Sequence, residues 1–245
     1  MASVTEHYEQ HLGPIYTWMG GDLQGAIERN RAELQELGVK PSEHGVAVDL
    51  GAGPGGYTIP LAEAGYTTLA LDTCAQLVAE LQERAVGLPI HALQADLLAF
   101  RQYGEGAADV ILCMGDTLTH LPSQEAVGHL LRDVAATLTP SGLFCTTFRD
   151  YYTTELQGAA RFIPVRSDSQ RILTCFLEYA ADHVNVYDVL QERTEAGWKM
   201  SVSDYPKLRL DPAWVVAELE AQGLTVRKDR SGNGMIRIVA QYGRE

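Results

Sequence analysis

The sequence predicts a doubly wound α/β fold in which a mostly parallel seven-stranded sheet carries an antiparallel β insertion. Two patterns indicate this. Short apolar segments alternate with helical segments from residue 45 to residue 148, which is the rhythm of parallel strands joined by crossover helices. From residue 162 to residue 205, strand-like segments follow one another with only short turns between them, as in an antiparallel meander.

The alternating part is preceded by a predicted helix at 22–37, which Asp22 can cap. Five strands are predicted at 45–51, 67–72, 88–94, 108–114 and 142–148. The helices between them are predicted at 57–64, 74–83 and 124–138, the last stopped by Pro140 and Gly142. The fourth strand is apolar throughout its middle, which is typical of a central strand in a parallel sheet.

The insertion is predicted to contain four strands, at 162–166, 171–179, 183–193 and 198–205. A helix at 211–222 follows, with Asp211 as its cap and Pro212 in its first position. The last two strands, 224–228 and 235–241, form a hairpin, so the large sheet is expected to end with one antiparallel strand.

These elements divide the chain into three parts. We expect an N-terminal helical segment (1–44), a core (45–160 and 207–245) and the antiparallel insertion (161–206). One face of the insertion should be buried because its strands alternate. Two roles stay open for the insertion: a cap over the site, or a surface for homodimer formation.

The charge balance limits the classes of partner. The chain has 19 basic and 32 acidic residues, a formal net charge of −13, and no strongly basic stretch. Proteins that read nucleic acid need lysine and arginine to neutralise phosphates. Duplex nucleic acid, an anionic membrane and a large polyanionic substrate are therefore disfavoured, whereas a small anion is not excluded.

The cysteines and the N-terminus favour a soluble, cytoplasmic protein. The four cysteines are widely spaced and lie in or beside apolar runs, which indicates reduced, buried thiols and gives no ligand spacing for zinc. The N-terminus has no basic segment followed by an apolar one, and no apolar run reaches the length of a membrane span.

A glycine-rich turn at the end of the first strand is the main candidate for a ligand site. Residues 48–56 read Val-Asp-Leu-Gly-Ala-Gly-Pro-Gly-Gly. Glycines are needed where a ligand lies against bare backbone as a strand turns into a helix. Taken alone, the same turn is also compatible with an ordinary strand–helix connection.

Two acidic residues at the ends of the next strands make this interpretation more specific. Asp72 ends the second strand, and its carboxylate can accept two hydrogen bonds from the vicinal hydroxyls of a ribose. Asp96 ends the third strand and can accept from an adenine amino group, while the Leu97 amide donates to a ring nitrogen. Each acid alone is compatible with a cap or a loop, but three successive strand ends together describe an adenosine site.

These motifs resemble the class I S-adenosylmethionine-dependent methyltransferases, in the first motif (48–56), the second-strand acid Asp72 and the third-strand pair Asp96–Leu97. The terminal hairpin fits that family as well, and the resemblance covers residues 44–148 and 207–241. It implies a Rossmann-like methyltransferase fold with S-adenosylmethionine as cofactor. No metal is implied. Within the core it implies these cofactor contacts: Asp49, Gly51, Ala52, Gly53, Asp72, Thr73, Asp96, Leu97 and Met114.

A dinucleotide-dependent dehydrogenase is the main competitor for the same glycines. Asp49 directly precedes the turn, where the resembled family places an acid near the methionine part of its cofactor. The glycine pattern is also not a clean G-x-G-x-x-G at the chain terminus, and the antiparallel tail fits the methyltransferase plan better. All three features favour the methyltransferase.

The segment after the fourth strand is the candidate acceptor site. Residues 113–121 resemble the corresponding segment of small-molecule N-methyltransferases of the glycine and sarcosine type. By that likeness, the Met114 carbonyl would hold the cofactor's amino group, and Asp116 and His120 would lie near the acceptor. A histidine has an ordinary pKa near 6.5 and can act as a base. The alternatives are a histidine bonded to backbone and an aspartate that caps the following turn.

The aromatic N-terminal segment is expected to act as a lid. In the resembled family such a segment often folds over the cofactor, and Gly20–Gly21 would provide a hinge. Tyr8 and Trp18 are the candidate lid contacts, and the alternative is a helix that packs its aromatic side chains onto the domain. The segment 149–152 follows the fifth strand and could line the acceptor pocket or form a solvated loop with packed tyrosines.

Together these features predict transfer of a methyl group from S-adenosylmethionine to a nitrogen or oxygen atom of a small molecule. Two alternatives from other classes stay open. One is a methyltransferase that acts on protein, and the other is a non-catalytic cofactor-binding protein whose insertion mediates assembly.

Overall fold

The structure is a computed structural model that describes residues 3–40, 45–104, 106–232 and 234–243. The predicted boundary between the N-terminal segment and the core, at residues 44 and 45, lies partly outside the described residues. Two sheets organise the chain, one of seven strands and one of four.

The seven-stranded sheet has the strand order β10-β11-β5-β4-β1-β2-β3. Strand β11 runs antiparallel to both of its neighbours, and the other pairs are parallel. The last strand of the chain therefore lies between β5 and β10, one place in from the edge. The bounds are β1 (Val46–Leu50), β2 (Thr67–Asp72), β3 (Ile90–Gln94), β4 (Ala108–Cys113), β5 (Leu138–Phe148), β10 (Leu224–Arg230) and β11 (Ile236–Tyr242).

Helices cover both faces of this sheet, as the alternating pattern predicts. One apolar cluster joins β1, β4 and β5 to α6 and α7, and two others join the opposite face to α3, α4 and α5. The bounds are α1 (Val4–His7), α2 (Tyr16–Gly20), α3 (Leu23–Glu36), α4 (Thr58–Glu63), α5 (Ala75–Arg84), α6 (Gln124–Thr137) and α7 (Pro212–Ala221).

The second sheet is the predicted antiparallel meander, with the strand order β6-β7-β8-β9. Side chains alternate along β8, so that Val184, Val186 and Leu190 are buried on its inner face. Its bounds are β6 (Phe162–Ser167), β7 (Arg171–Tyr179), β8 (His183–Thr194) and β9 (Gly197–Leu208).

Two strands, β5 and β9, are each four residues longer than the sequence indicates. β5 begins at Leu138, because this residue pairs with Ala108 across a register shift and the chain continues through Pro140 as strand. Gly142 permits this path, since a Cβ there would lie 2.9 Å from the Ala108 carbonyl oxygen. β9 continues to Leu208 because its pairing with β8 does not stop, so the predicted domain boundary at residue 207 falls inside a strand.

The N-terminal segment packs against the inner face of the second sheet. The imidazole of His7 is fully buried and lies 2.7 Å (Nδ1) from the Ser203 hydroxyl and 3.0 Å (Nε2) from Asp188 Oδ2. The ring of His7 also stacks on Tyr205 at a centroid distance of 4.0 Å. The segment and the second sheet are therefore joined by polar as well as apolar contacts.

The outer face of the second sheet, in contrast, is apolar and exposed. Phe162 packs on Phe176 at a centroid distance of 4.6 Å, yet 57% of Phe162 remains accessible. Met200 and Val202 on β9 are likewise more than half exposed. The solvated face of an antiparallel sheet usually carries polar side chains, so these exposed apolar residues depart from the usual pattern.

We expect Phe144→Ala to destabilise the fold by about 3–5 kcal/mol, because the side chain is fully buried on a central strand and its removal leaves a cavity. Denaturant unfolding followed by circular dichroism measures this. The matched control Val202→Ala, at an exposed position, should change the free energy of unfolding by about 0.5 kcal/mol or less. Equal unfolding midpoints for the two variants would contradict this view of the core.

Candidate functional site

A cavity of about 890 Å³ opens at the carboxyl ends of β1, β2, β3 and β4. That size falls within the range of about 300–1,000 Å³ that small-molecule sites occupy. The wall also includes residues of the N-terminal segment and of the second sheet, among them Val4, His183 and Pro206. All three predicted parts of the chain therefore contribute to one cavity.

The glycine-rich turn forms the floor of the cavity. Gly51 has φ +80° and Gly53 has φ +54°, a left-handed conformation that favours glycine. A Cβ on Gly51 would lie 2.5 Å from a Thr117 side-chain carbon, so this position is sterically closed to other residues. Gly51, Ala52 and Gly53, the predicted cofactor contacts of this turn, all line the cavity.

The two acids at the next strand ends lie on the same wall, together with Thr73 and Leu97. Asp72 accepts from the Gly53 amide (2.8 Å) and from the Cys74 amide (2.9 Å), which ties the end of β2 to the glycine turn. Burial raises the pKa of Asp72 although these hydrogen bonds favour the carboxylate. Asp96 accepts from the Leu98 amide (2.9 Å) and caps the turn that follows β3.

Asp49 is a buried carboxylate at the edge of the cavity. One of its oxygens accepts from the Thr58 hydroxyl at 2.6 Å. Burial raises the pKa of Asp49 to about 6, although the Thr58 hydrogen bond opposes the shift. A ligand cation next to this carboxylate would offset the cost of burying it.

His120 lies on the part of the wall that faces the second sheet, where its ring is close to that of Tyr205, whereas the Met114 side chain packs with α3 and α4. The Met114 carbonyl accepts from the Thr117 hydroxyl at 2.8 Å, and the residue lines the cavity. His120 Nε2 is buried and has no hydrogen-bond partner among the described residues. Burial and the charge of Lys207 lower the pKa of His120 to about 3, so the imidazole is neutral at ordinary pH.

Asp116 does not line the cavity, in contrast to the prediction that it lies near the acceptor. It is 2% exposed, and its backbone has φ +80°. Its carboxylate accepts from Lys207 Nζ (2.6 Å), the Arg149 amide (2.8 Å) and the Tyr151 hydroxyl (3.1 Å). Asp116 is therefore a buried anchor beneath the site, because its acceptor capacity is taken up by protein donors.

The two aromatic lid candidates occupy different places. Tyr8 lines the cavity, and its ring lies 5.5 Å from that of His120. Trp18 lies outside the cavity: its indole donates to Asp168 Oδ2 at 2.6 Å, and the Arg171 guanidinium sits 5.6 Å from the ring centroid. It packs on the second sheet, as the alternative interpretation of the segment allows.

Three further residues of this region are not among the predicted site residues. Tyr16 lines the cavity close to Gly53, and Tyr205 lies 5.7 Å from His120 (ring centroids). Lys207 pairs with Asp116 across 91 residues of sequence. A signal for Lys207 was available in the sequence. It is a lysine in an alternating strand, at a position where the alternation directs the side chain inward.

No group of three or more histidine, cysteine, aspartate and glutamate side chains suited to a metal ion occurs within the described ranges. The helices that the structure describes include none long and apolar enough to cross a membrane. Cys74, Cys113 and Cys145 are buried, and Cys175 is half-buried.

Comparison with known proteins gives one family and one curated relative. Residues 47–142 match the family model described as a methyltransferase domain. A glycine/sarcosine N-methyltransferase from Halorhodospira halochloris is 26% identical over 153 residues, which is 60% of this chain. The match spans 56% of the length of that relative.

Solved structures share the fold along nearly the whole chain. The CcbJ methyltransferase from Streptomyces caelestis aligns with a TM-score of 0.76 at 16% identity, covering 100% of both chains. CalS10, an amino pentose methyltransferase from Micromonospora echinaspora, aligns with a TM-score of 0.75 at 14% identity, covering 96% of this chain and 97% of that one. At these identities the likeness shows the fold alone.

We expect the Asp49 carboxyl to titrate with a midpoint near 6, because burial penalises its charged form. Thr58→Val should raise this midpoint further, since the Thr58 hydroxyl donates to the carboxylate. Carbon-13 NMR of the side-chain carboxyl, assigned with Asp49→Asn, measures it. Thr68→Val is the matched control, a buried threonine bonded to the Tyr66 carbonyl, and should leave the midpoint unchanged. A midpoint near the ordinary 3.8 would disprove the assignment.

Proposed function

Because the chain belongs to the class I S-adenosylmethionine-dependent methyltransferases, we propose that it transfers a methyl group from S-adenosylmethionine to a nitrogen or oxygen of a small molecule. One observation carries the proposal. A single cavity joins the acids of successive strand ends, Asp72 and Asp96, to the unpartnered Nε2 of His120. Donor and acceptor can therefore meet in one enclosed space.

The residues at the strand ends fit an adenosine-containing cofactor. Bare backbone at Gly51 and Gly53 leaves room that a Cβ would fill. In this proposal Asp72 accepts from the ribose hydroxyls, and Asp96 with the Leu97 amide holds the adenine. Asp49 and the Met114 carbonyl face the charged amino-acid end, where a buried carboxylate gains a cationic partner. Thr73 and Ala52 complete the wall.

The acceptor side of the cavity orients the nucleophile and keeps water away. When bound, the cofactor would supply a methyl group on positively charged sulfur. The acceptor's lone pair would form the new bond to the methyl carbon, the carbon–sulfur electron pair would stay on sulfur, and the methylated acceptor would lose its N–H or O–H proton to solvent. Tyr8 and His120 lie here together with Asp182 and His183, beside apolar side chains such as Leu121, Pro206 and Leu208. This combination suits a small acceptor that has an apolar part and an N–H or O–H group.

Three weaker expectations accompany this proposal. The net charge of −13 supports a partner other than nucleic acid or an anionic membrane. The buried thiols support a reducing, cytoplasmic location. The exposed apolar outer face of the second sheet is compatible with a homodimer, the alternative use of the insertion.

We expect Asp72→Ala to weaken binding of S-adenosylhomocysteine by about tenfold or more, or about 1.4 kcal/mol, because the variant lacks the acceptor for the ribose hydroxyls. Isothermal titration calorimetry measures this. Asp133→Ala is the matched control, a half-exposed acid on α6 that pairs with Arg101 away from the cavity, and should bind normally. If the wild-type protein bound neither S-adenosylmethionine nor S-adenosylhomocysteine, the proposed function would be wrong.

We further expect the wild-type protein to produce S-adenosylhomocysteine with at least one member of a panel of small amines, amino acids and phenols. The panel includes glycine and sarcosine, because one relative is named for them. His120→Ala should lower the transfer rate by about tenfold or more while leaving cofactor affinity unchanged, since the imidazole faces the acceptor side. Equal rates for His120→Ala and the wild type would remove His120 from the proposal.

A further inference from the structure

His120 sits among groups contributed by three separate parts of the chain. Tyr8, from the N-terminal segment, and Tyr205, from β9, place their rings 5.5 and 5.7 Å from the imidazole. The imidazole itself belongs to the turn after β4 and lines the cavity. Its Nε2 is buried without a partner among the described residues. An unpartnered buried nitrogen on a cavity wall is a hydrogen-bonding position left for a ligand.

A cation of the second sheet acts on His120 and is almost completely buried. Lys207 is 8% exposed, and its Nζ donates to Asp116 Oδ2 at 2.6 Å. The ammonium also lies 5.6 Å from the ring centroid of Tyr205 and 5.9 Å from that of Tyr151. Lysine is rarely buried to this extent unless it is paired.

The carboxylate of Asp116 is held by several donors in addition to Lys207. The Tyr151 hydroxyl and the Arg149 amide donate to it, and the Arg149 guanidinium lies 3.8 Å away. Despite burial, which opposes ionisation, Lys207 and His120 together with these bonds lower the pKa of Asp116. Asp116 therefore stays ionised, and its carboxylate is paired with the Lys207 ammonium.

The balance of these charges determines the protonation state of His120. Burial and Lys207 disfavour the imidazolium, Asp116 favours it, and the nearby His7 of the N-terminal segment disfavours it. The two tyrosines beside the ring, Tyr8 and Tyr205, are neutral at ordinary pH. If the side chain at 207 were uncharged, only the exposed Arg149 guanidinium, 3.8 Å from Asp116 Oδ2, would still offset the charge of Asp116. The carboxylate would then favour protonation of His120 more strongly.

We propose that Lys207 is a positioning residue of the methyl-transfer site: by compensating Asp116 it keeps His120 uncharged, so that Nε2 accepts a hydrogen bond from the acceptor. This inference rests on the proposed function. It also narrows the acceptor class, because a neutral imidazole acceptor selects a free amine N–H or a hydroxyl O–H. An acceptor nitrogen without hydrogen would leave Nε2 unpaired.

The test measures the protonation of His120 directly. Long-range nitrogen-15 NMR of histidine-labelled full chain follows each imidazole against pH, with His120 assigned by His120→Gln. In Lys207→Gln the amide still donates to Asp116 but carries no charge, so the His120 pKa should rise by about 2.5 units or more. Lys199→Gln is the matched control, because Lys199 is an exposed lysine on the same strand, and should behave as wild type. Asp116→Asn should leave His120 neutral, since it removes the anion.

The second readout is the transfer rate with an acceptor that the wild-type protein methylates. From about pH 8 to about pH 5.5, the rate of Lys207→Gln relative to wild type should fall by about twofold or more, as the imidazolium that cannot accept builds up. A merely structural loss would give the same ratio at both pH values. Circular dichroism and thermal unfolding confirm that each variant is folded, and Lys207→Met repeats the test with a side chain that cannot donate.

The outcomes separate the two proposals. If His120 of Lys207→Gln and Lys207→Met stays neutral down to about pH 5, or if the rate ratio does not change with pH, the role of Lys207 is wrong. If the wild-type protein transfers no methyl group to any acceptor while the His120 pKa rises as expected, the proposed function fails and the electrostatic coupling stands.

Discussion

The buried ion pair between Asp116 and Lys207 is the contact on which the architecture of the site depends. Removing two charges from water is costly, and such a pair is retained only where further hydrogen bonds satisfy the groups. Asp116 meets that condition through the Tyr151 hydroxyl and the Arg149 amide. The pair joins the turn after β4 to β9, and so fixes the second sheet over the parallel core.

The cavity follows from this attachment. The core contributes a floor of bare backbone and carboxylates, as sheets of this type do at the carboxyl ends of their strands. The second sheet and the N-terminal segment close the opposite side, and His7 binds those two to each other through Asp188 and Ser203. The two halves differ in their side chains: the core side carries bare backbone and the acids Asp49, Asp72 and Asp96, and the other side carries apolar and aromatic groups together with the Asp182–His183 pair.

The sequence predicts the parts of the site that short-range patterns encode. Gly51, Asp72 and Asp96 occur at fixed places relative to their strands, and strand polarity alone brings them to one edge. The pairing of Lys207 with Asp116 depends on the register of a meander over 90 residues away, which no local pattern specifies. Trp18 shows the same limit in reverse. As an aromatic residue of the N-terminal segment it was predicted to be a lid contact. Its indole instead donates to Asp168 and so lies against the second sheet.

The backbone conformation of Asp116 is unfavourable for folding, whereas its side chain is needed for the charge balance of the site. Its φ of +80° lies where a side chain costs about 1–2 kcal/mol and glycine costs little. A glycine here would relax the main chain, yet it would delete the carboxylate and leave the Lys207 ammonium buried without its counterion, a loss of about 3–5 kcal/mol. Loss of the counterion of Lys207 therefore costs more than the left-handed backbone conformation of Asp116. Stabilisation by replacing a left-handed residue with glycine would therefore fail at this turn.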